Sequence, residues 1–224
     1  ADVNILWAGS DDGLVHVTRD GGKTWSQIGG LHPDFHAMWL DPTNKNRFYV
    51  GQDGGASITY DNGKTWVFYD NLCLAQFYAV DFDMSYPYRV AGGLQDNGSL
   101  MGPSTKRAAG GGRMFDFEGA GGATGGPPIR LEDWSTVGGG DGMYNVFDRR
   151  TNSYLYNESQ FGPLTRLDLV TRETKNIAYQ DQKPEMRWNW CASILVSVHN
   201  SDTIYHCGNI VVMSANRGES WTEI

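Results

Sequence analysis

The side chains best suited to chemistry are acids and amides that stand beside glycines, in segments such as Gln-Asp-Gly-Gly and Leu-Gln-Asp-Asn-Gly. Such groups could bind sugar hydroxyls, a cation or a basic peptide, and the glycines would let a ligand approach the backbone. The alternative is that Asp-Gly and Asn-Gly are simply good turn formers. The candidate ligand-binding residues are Asp12, Asp53, Gln95, Asp96, Asn97, Asp141, Glu158 and Gln160, with Arg187 and Trp188 of an Arg-Trp-Asn-Trp segment.

Hydrolysis by these acids would need a particular pair. Cleavage of a glycosidic bond with inversion requires two carboxylates about 6.5–9.5 Å apart, one of them with a raised pKa. If the protein is an enzyme, that pair must come from Asp53, Asp96, Asp141 and Glu158. No Ser-His-Asp arrangement, nucleophile elbow or phosphate-binding loop can be assigned. The sequence alone therefore identifies no catalytic residue.

Metal and cofactor sites are not indicated. His32 and His36 are four residues apart, but an intervening proline argues against the helix that would bring them together. The three cysteines, Cys73, Cys191 and Cys207, form no Cys-x-x-Cys pair, which argues against a zinc site. The last two could lie on adjacent strands of one blade, where a disulfide is possible but not indicated, and three buried thiols are the preferred interpretation. We expect no metal and no cofactor.

The elements that position these loops are predicted by a repeat. Three segments fit the pattern Ser/Thr-x-Asp/Asn-x-Gly-x-Thr/Ser-Trp, at 18–25, 59–66 and 214–221. Asp20 and Asp61 are 41 residues apart, the length of one four-stranded propeller blade. Repetition at this period predicts an all-β chain with a β-propeller fold.

Each repeat indicates a hairpin of structural importance and not a catalytic site. The Asp or Asn side chain can accept backbone N–H groups of its own turn, and glycine supplies a positive φ. The tryptophan is large enough to pack between neighbouring blades. The structural residues assigned in this way are Asp20, Trp25, Asp61, Trp66, Asn216 and Trp221.

Apolar strands with period-2 alternation predict a single propeller segment over residues 1–224. It has about five four-stranded blades, of which the first lacks its inner strand. Their spans are 1–30, 31–71, 72–133, 134–180 and 181–224, with a glycine-rich insertion at 99–133. The loops between second and third strands share one face of a propeller, so the candidate residues are expected along one rim. With no inner strand to close the ring, further blades or another chain are expected to complete it.

Composition limits the partners. The formal net charge is −8, and Lys and Arg are scattered without the basic stripe that a phosphate backbone requires, so nucleic acid is not expected. No apolar run approaches the roughly 18 residues needed to cross a bilayer, so no membrane span is expected. A protein, peptide or glycan ligand suits the polar loops.

Several segments together resemble a known family. Ala-Gln-Phe-Tyr at 75–78, Leu-Gln-Asp-Asn-Gly at 94–98 and Gly-Gly-Asp-Gly at 139–142 accompany the three repeats, which are Asp-boxes. This combination is similar to the large exported bacterial sortilin-like proteins with bacterial neuraminidase repeats, often labelled glycosyl hydrolases. The resemblance implies an extracellular or periplasmic location and ligand binding without a catalytic mechanism. The glycine-rich insertion, Ala91 and Asn216 depart from the usual pattern.

We therefore predict a non-catalytic binding or scaffolding propeller that recognises protein, peptide or glycan through its polar loop face. The first alternative is a xyloglucanase-like glycoside hydrolase that uses a pair of rim carboxylates, because such enzymes are also Asp-box propellers. The second is a structural or assembly subunit of a larger complex. A cleft with two facing acids beside an exposed Trp188 or Trp190 would favour the enzyme.

Overall fold

The fold is all-β and consists of small antiparallel sheets, as a computed structural model shows. The structure describes residues 3–10, 14–72, 74–106, 127–180 and 186–224. The chain divides into two compact units, Ala1–Leu74 and Ala75–Ile224, which are described separately. In the described part of the chain, no helix is long and apolar enough to span a membrane.

The first unit contains two sheets in which sequential strands are neighbours. The first sheet has three strands among the described residues: β1 (Leu6–Gly9), β2 (Val15–Thr18) and β3 (Ser26–Ile28). The second has four: β4 (Phe35–Leu40), β5 (Phe48–Gln52), β6 (Gly55–Thr59) and β7 (Val67–Phe68). Phe48 is completely buried and meets Trp7 and Trp66 edge-on, at ring-centroid distances of 4.9 and 5.3 Å. The three-stranded first sheet matches the predicted incomplete blade.

The second unit contains three four-stranded sheets. The third sheet comprises β8 (Phe77–Phe82), β9 (Arg89–Leu94), β10 (Gly98–Pro103) and β11 (Ser135–Gly138). The fourth comprises β12 (Gly142–Phe147), β13 (Tyr154–Ser159), β14 (Leu164–Asp168) and β15 (Thr174–Asn176). The fifth comprises β16 (Ser193–Val196), β17 (Ile204–Cys207), β18 (Val211–Ser214) and β19 (Thr222–Glu223). A short 3-10 helix, Leu131–Asp133, precedes β11.

The predicted insertion at 99–133 is too long at its start, and the predicted end of the third blade at residue 133 is too early. Residues 99–103 were expected to be inserted, yet they belong to β10, because Ser99 to Pro103 pair in register with β9. β11 lies beyond the expected boundary after residue 133 and pairs with β10 as the fourth strand. Residues 107–126 of the expected insertion lie outside the described residues.

Strand β13 joins the three sheets of the second unit. Leu155 lies in an apolar core with Ala91 and Met101 of the third sheet. Tyr156, the next residue, lies in a second core with Ile194 and Ile204 of the fifth sheet. Successive side chains of a strand point to opposite faces, so β13 packs on both sides. Among the first strands, β12 contacts both β8 and β16. Four-stranded meanders packed in this way are propeller blades, so the predicted fold class is confirmed.

Candidate functional site

The three repeat turns, at residues 18–25, 59–66 and 214–221, share one hydrogen-bond pattern. Oδ1 of Asp20 accepts the N–H groups of Lys23 at 3.0 Å and Thr24 at 2.9 Å, and Oδ2 accepts the Thr24 hydroxyl at 2.6 Å. These bonds, the Thr24 hydroxyl first, lower the pKa of Asp20 to about 2. Asp61 makes the same set with Lys64 and Thr65, and its pKa is also about 2.

The third repeat turn uses an amide in place of the carboxylate. Oδ1 of Asn216 accepts the N–H of Ser220 at 2.9 Å, and its amide nitrogen donates to the Ser220 hydroxyl at 2.9 Å. Trp221 donates from its indole nitrogen to the carbonyl of Ile177 at 2.8 Å and packs beside the second core. Trp25, in contrast, is 44% exposed.

Two of the ten candidate ligand residues are not among the described residues of the second unit. Asp12 lies outside the described residues. Asp53 lies in the β5–β6 turn of the first unit, where its carboxylate contacts Nε2 of the His36 imidazole. Its backbone N–H donates to the carbonyl of Asp34 at 3.3 Å. The other eight candidates all belong to the second unit.

Three of those eight form a connected group at the loop ends of the third and fourth sheets. The backbone N–H of Asp96 donates to Oδ1 of Asp141 at 2.7 Å. The N–H of Asp141 donates to Oε1 of Gln160 at 2.9 Å, and the N–H of Gln160 donates back to the carbonyl of Asp141 at 3.1 Å. We call these residues the loop network. Asp141, at its centre, is only 8% exposed.

Glycines permit the close approach of backbones beside the loop network. A Cβ on Gly142 would lie 2.0 Å from the carbonyl oxygen of Gly98. A Cβ on Gly93 would lie 2.2 Å from the carbonyl carbon of Gly142. Both distances are far shorter than a van der Waals contact. The third and fourth sheets can therefore approach this closely only because glycine occupies positions 93 and 142.

Glu158 is buried at the interface of the fourth and fifth sheets. Its Oε1 accepts the N–H of Ala192 at 3.0 Å, and its Oε2 accepts the N–H of Tyr144 at 3.3 Å. The residue is 1% exposed. Burial raises the pKa of Glu158 to about 7, against the opposing effect of the backbone N–H groups that the carboxylate accepts.

The cysteines near this interface are free thiols. Cys191 and Cys207 are unbridged and only partly buried, in part unlike the buried thiols expected from the sequence. The Cys191 sulfur lies 3.1 Å from the sulfur of Met143. Burial and the neighbouring charge of Glu158 raise the pKa of the Cys191 thiol. Cys73 lies outside the described residues.

Trp188 covers the loop end of the same interface. Its indole stacks on the imidazole of His206 at a centroid distance of 4.2 Å, and it presses so closely on Gly162 that a Cβ there would lie 2.4 Å away. His206 is completely buried, and burial lowers its pKa to about 4. The backbone of Arg187 exchanges hydrogen bonds with Asn209, at 2.6 and 3.0 Å, and leaves the Arg187 side chain exposed.

Gln95 and Asn97 are the exposed members of the candidate set in the third sheet. The Tyr78 hydroxyl donates to Oε1 of Gln95, and the amide nitrogen of Asn97 donates to the Gln95 carbonyl at 2.8 Å. Both residues flank Asp96, whose φ of 60° turns the chain sharply at this loop.

Phe161 was not among the candidates, and Trp190 was named only as an alternative to Trp188 beside an enzyme cleft, yet the two form an exposed aromatic pair at this end of the unit. Their rings meet edge-to-face, with centroids 5.0 Å apart and an interplanar angle of 85°. The sequence signal was an aromatic residue between Gln160 and Gly162 in a turn where polar residues predominate. Of the two tryptophans in the Arg-Trp-Asn-Trp segment, Trp188 was the ligand-binding candidate, but the more exposed indole is that of Trp190.

A groove of about 500 Å³ follows the first strands of the three sheets in the second unit. Val80, Val146 and Leu195 contribute to its apolar lining. The acids in its lining are Asp81 and Asp148, neither of which was a candidate. The loop network and Glu158 therefore lie outside this groove.

The comparisons with known proteins give partial matches. No family model matches the chain. The oligoxyloglucan-reducing end-specific xyloglucanase of Emericella nidulans is 34% identical over 70 residues, which is 27% of this chain and 8% of that protein. A GH74 xyloglucanase from Xanthomonas campestris aligns with 98% of this chain and 36% of its own, at 13% identity and a TM-score of 0.43. YCF48 bound to D1 peptide aligns with 98% of this chain and 63% of its own, at 12% identity and a TM-score of 0.40.

The chain thus spans less than two thirds of each of these proteins. The two solved structures are 12% and 13% identical to this chain, and both TM-scores lie below 0.5. Two of these three proteins are xyloglucanases and the third is YCF48. The resemblance to sortilin-like proteins stays a prediction from the sequence.

Proposed function

We propose that this chain is a non-catalytic binding segment of a β-propeller in an exported protein, which recognises its ligand through the loop end of the second unit. The observation that carries the proposal is the burial of Asp141 and Glu158, two of the four acids available for hydrolysis. Each carboxylate accepts backbone N–H groups from a neighbouring sheet or loop. They hold the blades together.

A general acid has to reach the leaving oxygen of its substrate. Glu158 cannot do so in this arrangement, because both of its oxygens are bonded to backbone and the residue is 1% exposed. Among the described candidates of the second unit, the exposed side chains are the amides Gln95 and Asn97 and the cation Arg187. These groups can donate or accept hydrogen bonds but do not form an acid–base pair.

The resemblance to sortilin-like proteins supports the same function. It implies an extracellular or periplasmic location and a peptide, protein or glycan as the bound partner. The proposal needs neither a metal nor a cofactor.

Glycoside hydrolysis is the second candidate, and two observations favour it. The 70-residue match is to a xyloglucanase. The pKa of Glu158, about 7, is also suitable for a general acid at neutral pH. This function would require the interface of the fourth and fifth sheets to open, so that Glu158 could face a second acid across a substrate.

The test is a binding and hydrolysis assay on the full chain. Xyloglucan oligosaccharides, other plant and bacterial polysaccharides and a peptide library would be offered to the native protein and to Glu158→Gln and Asp141→Asn. Circular dichroism would establish that each variant is folded. We expect binding without release of reducing ends, and unchanged ligand preference in Glu158→Gln. Turnover by the native protein that is lost in either folded variant would overturn the proposal in favour of the hydrolase.

A further inference from the structure

We propose that Phe161 and Trp190 form an aromatic corner that binds a neutral oligosaccharide. This inference rests on the proposed function and deepens it, because it names the class of ligand and the residues that hold it. The aromatic corner comprises these two residues at the loop end of the second unit.

The backbone at Phe161 is the first observation. Its φ of 64° places a bulky aromatic residue in the left-handed region, which glycine or asparagine adopts much more readily. Phe161 follows β13 in the β13–β14 turn, and Gly162 beside it has a φ of 92°. A glycine at position 161 would relieve the unfavourable conformation, so local stability does not explain the phenylalanine.

Burial does not explain it either. Phe161 is 58% exposed, so most of its ring contributes nothing to a core. Its main ring partner is Trp190, itself 38% exposed. An exposed aromatic ring in an unfavourable backbone conformation, beside a second exposed ring, offers a face on which a ligand can stack.

The two rings are fixed with respect to each other. The N–H of Phe161 donates to the carbonyl of Trp190 at 3.3 Å, and the N–H of Trp190 donates to Oδ1 of Asn189 at 2.8 Å. The interplanar angle of 85° leaves two ring faces at a right angle. The relative orientation of the two rings is therefore set before a ligand binds.

The base of the aromatic corner is rigid. Gly162 packs directly on Trp188, and Trp188 stacks on the completely buried His206. The corner is thus anchored to the interface of the fourth and fifth sheets, and not to a free loop. This contact gives Trp188 a supporting role beneath the exposed pair.

The chemistry around the corner favours a neutral, hydroxyl-rich ligand. The C–H bonds of a sugar ring pack well on the electron-rich face of an aromatic ring. Gln160 and Asn189 adjoin the two aromatic residues in sequence. Their amide oxygens accept the N–H groups of Asp141 and Trp190, and each amide nitrogen can donate to a hydroxyl. The formal net charge of −8 opposes an acidic ligand. These properties together describe a neutral oligosaccharide.

The experiment uses the full chain and a panel of short neutral oligosaccharides derived from cellulose, xylan, mannan and xyloglucan. Binding would be measured by calorimetry and by tryptophan fluorescence, for the native protein and for Phe161→Gly. We expect Phe161→Gly to be at least as heat-stable as the native protein, because glycine relieves the left-handed backbone. We also expect it to lose at least about tenfold in affinity, because the stacking face is gone.

Arg172→Gly is the matched control. Arg172 also has a positive φ, 67°, but it lies at the opposite end of β14 from Phe161. This variant should gain stability in the same way and keep the native affinity. If only Phe161→Gly loses affinity, the loss comes from the missing aromatic ring and not from the change of a positive-φ residue to glycine.

The possible results distinguish the corner from the proposed function. Equal sugar affinity in Phe161→Gly and the native protein, or no sugar binding at all, overturns the corner. Binding of apolar peptides in place of sugars also overturns it, while a non-catalytic binding function stands. Hydrolysis of a sugar whose binding depends on Phe161 supports the corner and contradicts only the non-catalytic function.

Discussion

The backbone N–H of Asp96 donates to the carboxylate of Asp141 at 2.7 Å, and this bond ties the β9–β10 loop of the third sheet to the start of the fourth. A buried carboxylate in this position acts as an acceptor for a neighbouring blade. The same principle recurs one interface further on, where Glu158 accepts the N–H of Ala192. Two of the four acids considered for hydrolysis thus form hydrogen bonds between neighbouring sheets.

Removal of the Asp141 acceptor should destabilise the protein. Asp141→Ala leaves the N–H of Asp96 without this partner, and we expect a loss of about 1–3 kcal/mol in the free energy of unfolding. Asp141→Asn keeps an oxygen at the same place and should lose less. Urea denaturation of both variants checks this, and equal stability of Asp141→Ala and the native protein would contradict it.

Glu158 and His206 should have opposite effects on the pH dependence of stability. The pKa of Glu158 rises from 4.5 to about 7 in the folded state, so its stabilising contribution is complete below pH 4.5 and is lost as the pH rises through 7. The pKa of His206 falls from 6.5 to about 4, so its contribution is complete above pH 6.5 and is lost as the pH falls through 4. The two slopes oppose each other between pH 4.5 and 6.5.

Single substitutions should reveal these slopes. In Glu158→Gln the free energy of unfolding should rise with pH over that window, and in His206→Gln it should fall, each by up to about 1.4 kcal/mol per pH unit. The native protein should show a flatter profile. Asp20 and Asp61, with pKa values of about 2, titrate below the window. Denaturation at a series of pH values checks this, and parallel profiles in all three proteins would exclude it.

Gly142 should tolerate no side chain. In Gly142→Ala the new methyl group would lie 2.0 Å from the Gly98 carbonyl oxygen, so the third and fourth sheets must move apart. We expect a loss of about 3 kcal/mol in the free energy of unfolding. Gly139→Ala is the control, because a Cβ there meets nothing within 4 Å. Thermal unfolding followed by circular dichroism compares the two, and similar melting temperatures would argue against the close approach.

Asp61→Asn should preserve its repeat turn, because the third turn already uses Asn216 in this way. Asp61→Ala removes every bond to Lys64 and Thr65 and should melt earlier at pH 7. The contribution of Asp61 is present above about pH 4 and lost as the pH falls through 2, so Asp61→Asn should also be less acid-sensitive. Melting curves at pH 7 and pH 2.5 test both expectations.

The repeats predicted the architecture well, because each one contains both a turn and the strands that the turn joins. The three described strands of the first sheet followed from the same pattern. The end of the third sheet was less predictable. β11 is a short strand after a glycine-rich segment, and its pairing with β10 depends on contacts across more than thirty residues, which no local pattern reports.

The sequence predicted which loops carry the candidate residues, but not which way their side chains point. Asp96, Asp141 and Gln160 do come together, because the strand order of blades brings their loops to one end. The direction of each side chain was not predictable. Glu158 turns inward because the backbone N–H of Ala192 donates to its carboxylate. Trp188 turns inward because Gly162 has no side chain where the indole packs. Phe161 turns outward through a backbone conformation that its residue type disfavours.

The double-sided packing of β13 has a consequence for folding fidelity. Leu155 and Asn157 face the third sheet, whereas Tyr156 and Glu158 face the fifth. A slip of β13 by a single residue would exchange the two sets and place a carboxylate among the residues of the wrong interface. A mispaired β13 is therefore disfavoured at its interface with the third sheet and at its interface with the fifth. We expect the amide hydrogens of β13 to be the last in the second unit to exchange with deuterium.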